Sequence, residues 1–149
     1  MVKTLQVSAI ENGTVIDHIP SKNVIKLMKI LELNGDKMVT IGMNLPSKRL
    51  GKKGIIKISG RDLTRKELRK IGIVAKGAKV NQIKHYDVVE KTIIELHEVP
   101  INVVKCKNPK CITNNEDVPT RFEIIKKEPL KLHCHYCERM IQEDEIQIK

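Results

Sequence analysis

Cys106, Cys111, Cys134 and Cys137 are the only cysteines of this 149-residue chain, spaced C-x4-C-x22-C-x2-C. Two short loops separated by a longer arm let four thiolates converge on one ion, because each loop turns back within a few residues and presents both sulfurs to one point. The chemistry implied is a closed tetrahedral centre holding one structural Zn2+ per chain. A catalytic zinc keeps a position open for water and draws on His or carboxylate ligands, whereas four thiolates fill the sphere. An even cysteine count also permits disulfides. Met1 to Ile10 lacks the basic start and apolar run of a secretion signal, so a reducing, cytoplasmic setting and metal binding are expected instead. His133 and His135 flank Cys134 and are expected beside the centre or exposed, since four cysteines already complete it.

Other reactive constellations are sparse. Asp17-His18 is the one adjacent acid and histidine pair that invites a catalytic reading, but neighbours on an extended strand point to opposite faces unless a bulge or turn re-aims them. No nucleophile elbow, HExxH or G-x4-GK[ST] loop is present, and Gly51-Lys52-Lys53-Gly54 lacks the phosphate-loop register. A non-enzymatic protein is expected. Charge is uneven: residues 1–98 carry 19 Lys and Arg against 10 Asp and Glu, and residues 99–149 carry 9 against 8. Four bound thiolates and one zinc bring the tail to about −1, so the basic excess belongs to the first part. It concentrates between Lys48 and Lys79, which points to a polyanion or a phosphorylated ligand, or simply to a solvated helix face. Lys53 and Lys57 share one side of an extended segment, and Lys91 can join them from a later strand. Tyr86, Phe122 and Tyr136 are the only aromatics, too few for the stacking platforms of single-strand readers. A salt-sensitive zinc-ribbon nucleic-acid binder is the rival reading. No nucleic-acid partner is expected, and with no apolar run of membrane-spanning length, no membrane either.

The elements that must position these residues read as α+β. Thr4 to Ile10, Met38 to Asn44, Gly54 to Ile58, Lys79 to Ile83 and Val88 to Leu96 are β-branched or alternating strand candidates. Pro20-Ser21 introduces Val24, Ile25, Leu27, Met28 and Leu31 at helical spacing, closed by Asn34-Gly35. Thr64-Arg65-Lys66-Glu67 fits a capping box opening a second helix that ends near Gly77. That order predicts a ferredoxin-like split βαβ sandwich, an antiparallel sheet with two helices on one face. Pro100 interrupts an apolar run, which places a boundary at Val99 to Asn102 between domains 1–98 and 102–149. Beyond it, Arg121 to Ile125, Leu130 to His133 and Ile146 to Ile148 predict a small antiparallel β zinc domain, a segment short enough to need a metal staple.

Gly13-Thr14-Val15-Ile16-Asp17-His18-Ile19-Pro20, Asn44-Leu45-Pro46-Ser47, Lys53 to Ile58, Asn81-Gln82-Ile83, Tyr86, Val88-Val89, Lys91 and the cysteine spacing, taken in order, resemble the regulatory chain of aspartate carbamoyltransferase. The resemblance runs from Leu5 to the last strand. It implies a non-catalytic subunit that binds CTP and ATP as effectors in its N-terminal domain, pairs with itself as a homodimer through that domain's sheet, and grips the catalytic chain through its zinc domain, so regulating pyrimidine biosynthesis. Residue by residue, it implies that Lys57 and Lys91 contact the phosphates, Asp17 and His18 the ribose and phosphate side, and Ala9, Ile10, Tyr86 and Val88 the base, with Lys53, Asn81 and Ile83 lining the same pocket.

Overall fold

The computed structural model describes residues 9–33, 35 and 37–149. The chain separates into two compact units that meet between Glu95 and Leu96. The first runs β1 (Gly13–Pro20), a 3-10 turn (Ser21–Asn23), α1 (Val24–Ile30), β2 (Val39–Ser47), β3 (Gly51–Ser59), α2 (Arg65–Ala75), β4 (Lys79–Lys84) and β5 (Asp87–Ile93). The strands form one sheet in the order β2-β3-β1-β4-β5, antiparallel at every seam. That is the split βαβ arrangement with β5 added as a hairpin outside β4.

Strand periodicity explains the core. Thr14, Ile16, Ile56, Ile58 and Val80 occupy one face of the sheet and are buried. On α1, Val24, Leu27 and Ile30 fall at i, i+3 and i+6 and are buried, while Ile25, off that stripe, is exposed. On α2, Ile71, Val74 and Ala75 fall at i, i+3 and i+4 and are buried. Gly54 lets α1 lie close against β3: a Cβ there would collide with a Val24 methyl. The expected capping box is present. Thr64 Oγ1 accepts from Glu67 N at 3.1 Å, Glu67 Oε2 accepts from Thr64 N at 3.0 Å, and Arg61 donates to the other carboxylate oxygen at 2.7 Å.

One strand is new to the sequence reading. The expected strand Thr4 to Ile10 lies outside the described residues up to residue 8, and its last two residues, Ala9 and Ile10, are not in a strand. A strand the sequence reading did not contain, Gly13–Pro20, stands at the centre of the sheet. Its alternation is interrupted by a bulge between Ile16 and Ile19, which inserts the polar Asp17-His18 pair and disguises the strand in sequence. β5 also stops at Ile93 rather than at Leu96.

The second unit contains β6 (Val104–Lys105), α3 (Ile112–Asn115), β7 (Phe122–Lys127), β8 (Leu130–Cys134), β9 (Met140–Gln142), a 3-10 turn (Glu143–Glu145) and β10 (Gln147–Ile148). β7, β8 and β9 make a three-stranded antiparallel sheet, and β10 pairs with β6. Val104, Phe122, Leu130, Leu132, Ile141, Ile146 and Ile148 form its buried apolar core. The sequence reading contained neither β6, β9 nor the four-residue α3; segments this short carry too few residues for a period to show.

Candidate metal centre and sheet-face site

The four cysteine sulfurs lie within 4.8 Å of one another. Cys106 and Cys137 Sγ are 3.6 Å apart, and Cys111 and Cys134 Sγ 3.8 Å. Tetrahedral zinc with Zn–S bonds of about 2.3 Å places sulfurs about 3.8 Å apart, which these two pairs match, so the four residues fit one such ion. Burial pushes the Cys106 thiol up to about 12 and raises that of Cys134. At Cys137 burial acts in the same direction, but hydrogen bonds involving the Arg139 backbone, Asn108 and neighbouring sulfurs outweigh it and bring the thiol to about 7. A cation satisfies this crowd of soft donors far better than protons do, because thiolate is the ligand form.

The loops around the sulfurs are held by hydrogen bonds that sequence spacing did not disclose. Cys111 precedes α3, and Asn114 from that helix donates to Cys106 O at 2.9 Å and to Asn108 O at 2.7 Å. Asn115 donates to Pro109 O and Cys111 O, both at 2.9 Å. Thr113 places its hydroxyl 3.2 Å from Cys111 Sγ. In the second loop Cys134 N donates to Arg139 O at 2.9 Å and Glu138 N to Cys134 O at 3.0 Å. The readable signal was the polar run Thr113-Asn114-Asn115 after a cysteine, since short amide and hydroxyl side chains bond local backbone. His133 and His135 turn their Nδ1 atoms to Glu123, at 3.2 and 3.0 Å, and take no place among the clustered ligands.

The second concentration of polar groups lies on the sheet face opposite the helices. Lys57 pairs with Val15, Val15 with Asn81, and Asn81 with Lys91, so strand register sets Lys57, Asn81 and Lys91 in one row on that face. Asp17 is two residues along β1 from Val15, and Lys53 four residues along β3 from Lys57, on the same side. Lys53 Nζ reaches Asp17 Oδ1 at 2.8 Å, and the His18 amide donates to the same oxygen at 2.7 Å. Burial raises the Asp17 carboxyl, but these donors prevail and hold it below the usual carboxylate value. The bulge is what re-aims His18: its φ is 60° and its Nδ1 stands 3.7 Å from Asp17 Oδ2. Burial lowers the His18 imidazole, and the charges of Lys53, Lys79 and Arg49 add to that despite Asp17. Lys57 is likewise lowered by burial, with Asp17 partly offsetting.

Two buried polar atoms of this region, His18 Nδ1 and Asn81 Oδ1, have no hydrogen-bond partner. An unmet buried acceptor costs about 1–3 kcal/mol, which a polar ligand would relieve. Ile83 and Val88 are register partners toward the other end of the face. There β4 turns into β5 through His85 and Tyr86, both at positive φ, a two-residue turn of the mirror-image type without the usual glycine or asparagine. The chain before β1 braces it: Tyr86 N donates to Glu11 O at 2.9 Å and His85 N to Asn12 Oδ1 at 3.2 Å. This carries the exposed Ala9 and the buried Ile10 to the end where Tyr86 lies. The face is therefore cationic toward Lys53, Lys57 and Lys91, and apolar toward Ile83, Tyr86 and Val88. Glu11, Asn12, Arg49 and Lys79 are the contributors that the sequence reading missed.

Comparison with known proteins covers both units. A family model described as aspartate carbamoyltransferase regulatory chain, allosteric domain, matches residues 5–95, and one described as the metal binding domain of the same chain matches residues 98–147. The sequence is 51% identical over 146 residues to the aspartate carbamoyltransferase regulatory chain of Pyrococcus abyssi, covering 95% of each chain. It is 46% identical over 145 residues to that of Thermococcus sibiricus, covering 97% of each, and 47% identical over 147 residues to that of Bacteroides thetaiotaomicron, covering 98% of this chain and 96% of that one.

Proposed function

The chain belongs to the aspartate carbamoyltransferase regulatory chain family, a non-catalytic partner of a catalytic chain with an allosteric and a metal-binding domain, and on that footing we propose that CTP and ATP are its effectors. The observation that carries this reading is the helix-free sheet face: three lysines, a paired Asp17 and two unsatisfied buried polar atoms, graded into an apolar end. A triphosphate with about 3 to 4 negative charges suits the cationic end, where charge-assisted hydrogen bonds from Lys57 and Lys91 hold the phosphates and Lys53 adds to the field. Asp17 and His18 meet the ribose and the adjoining phosphate. Asn81 lines the middle of the pocket beside Ile83. Ala9, Ile10, Tyr86 and Val88 enclose the base, where fixed backbone groups and the space available separate a pyrimidine from a purine.

Regulation needs more than binding. Each nucleotide must bind the quaternary states of the assembly with different affinity, and couplings of about 1–3 kcal/mol are typical. The metal supports the other half of this role: one zinc ion held by Cys106, Cys111, Cys134 and Cys137 shapes the C-terminal unit, and that unit grips the catalytic chain. A homodimer formed through the N-terminal sheets is consistent with β2, an edge strand that exposes Ile41 and Met43. The physiological setting is control of pyrimidine biosynthesis in the cytoplasm. Calorimetric titration at fixed ionic strength tests the nucleotide reading. CTP and ATP are expected to bind more tightly than inorganic tripolyphosphate; equal affinity for all three would refute recognition of the base.

A further inference from the structure

The four cysteines are unequal. Cys106, Cys111 and Cys134 are buried, and Cys137 is half-buried. The Cys111 and Cys134 sulfurs meet in the interior, while the Cys106 and Cys137 pair is only partly buried. Thr113 is 6% exposed, and its hydroxyl lies 3.2 Å from Cys111 Sγ. A metal-bound thiolate keeps lone pairs that attack electrophiles and accept incoming protons; an O–H donor withdraws charge from them, and burial excludes the attacking reagent. Cys111 has both protections, and Cys134 is buried with it and receives the backbone N–H groups of Tyr136 and Cys137. The Cys111 loop is also tied down independently of the metal, through the Asn114 and Asn115 bonds to the backbone between Cys106 and Cys111.

We propose that this centre exchanges its metal directionally: Zn2+ enters and leaves, and soft electrophiles attack, through the Cys137 edge, while the buried Cys111 and Cys134 pair yields last, with the Thr113 hydroxyl shielding Cys111. Thr113 is a positioning residue that acts through Cys111. Asn114 and Asn115 keep the first loop shaped for re-entry while Cys137 is detached. The inference rests on the zinc reading of the four cysteines.

The test uses the full zinc-loaded chain, with metal content measured first. Limited iodoacetamide, which replaces a Zn–S bond by an S–C bond and releases iodide, is followed by peptide mass mapping of each cysteine. Cys137 is expected to react first, and Cys111 and Cys134 last. Thr113→Val should speed both Cys111 alkylation and zinc transfer to a chromogenic chelator by about tenfold, in line with losses on removing groups that support metal ligands. Thr113→Ser, which restores the hydroxyl, should return both rates to the parent's. In cobalt-loaded protein the thiolate charge-transfer band should shift in the valine variant and not in the serine variant, which simple loosening of the fold would not produce. Should the valine variant fail to fold, the order of alkylation in the parent and serine chains still decides. Cys111 reacting with or before Cys137, or a folded valine variant with unchanged rates, overturns the proposal while leaving the zinc reading intact. A chain that holds no zinc overturns both.

Discussion

Removing the metal should unfold one unit and spare the other. The unit from Leu96 to Lys149 has a three-stranded sheet, a two-stranded pair and a helix of four residues, and all four cysteine ligands belong to it. A structural zinc contributes about 10–16 kcal/mol of apparent binding energy at neutral pH, while whole domains are stable by only about 5–15 kcal/mol. A segment this small has no reserve of that size in its apolar core. The first unit holds its five-stranded sheet together with Ile16, Ile56, Ile58, Leu27 and Ile71 and contains no cysteine. Hydrogen exchange read by mass spectrometry, with and without excess chelator, separates the two. Peptides covering Phe122–Lys127, Leu130–Cys134 and Met140–Gln142 are expected to fall to the exchange rates of an unfolded chain, while those covering Gly13–Pro20 and Gly51–Ser59 keep their protection. Retained protection across Leu130–Cys134 after verified metal loss would refute the staple argument. Equal loss in both units would refute their independence.

Four further substitutions follow from the first unit. Lys57→Ala should weaken CTP binding by about 10- to 100-fold, the worth of a charge-assisted hydrogen bond of about 1.5–3 kcal/mol, and the exposed Lys91→Ala by about fivefold, with circular dichroism unchanged; unchanged calorimetric affinity in both sinks the phosphate assignment. Asp17→Asn removes the ion pair with Lys53, whose side chains are 23% and 21% exposed, at a cost of about 1 kcal/mol. Because the folded Asp17 carboxyl sits below its unfolded value of 3.8, its stabilisation is full above that pH and is lost as pH falls through the folded value. The parent and variant denaturation midpoints of this unit should therefore converge as the pH falls through the folded value, and a gap as large at the most acidic pH at which the unit still folds as at neutral pH would contradict the pairing. Gly54→Ala forces a methyl against Val24 and should destabilise the first unit by about 1–3 kcal/mol, read as a lower urea midpoint at unchanged slope; an unshifted midpoint would show that α1 yields at no cost.

What could be read in the sequence were features stated by a few residues at fixed spacing. Thr64 and Glu67 declared the start of α2, and Val24 and Leu27 the buried stripe of α1. The four cysteines declared one cluster of sulfurs able to hold a metal before any coordinate did. What stayed hidden depended on register. β1 was obscured by the bulge at Asp17-His18, yet that same bulge brings the side chains of two neighbouring residues within 3.7 Å of each other, which simple alternation forbids. The row Lys57, Asn81, Lys91 joins three strands separated by α2 and a hairpin, so only the pairing of β1 with both β3 and β4 brings it together. The β4–β5 turn was invisible for another reason: His85 and Tyr86 adopt positive φ with no glycine to announce it, supported by Glu11 and Asn12 from across the sheet end. Likewise, nothing in cysteine spacing reveals that Thr113 reaches a ligand sulfur.

The claim that binds both units into one function is that nucleotide occupancy on the sheet face alters a catalytic chain held by the zinc unit. Its most direct measurement is reconstitution: purified catalytic chain mixed with this zinc-loaded chain, complex formation verified, and carbamoyl transfer to aspartate assayed with saturating CTP or ATP. A change in activity with nucleotide that is absent from catalytic chain alone, and absent when the Lys57→Ala, Lys91→Ala double variant replaces the parent, is the predicted result, with a coupling of about 1–3 kcal/mol between sites. A verified complex whose activity is the same with and without either nucleotide would contradict it.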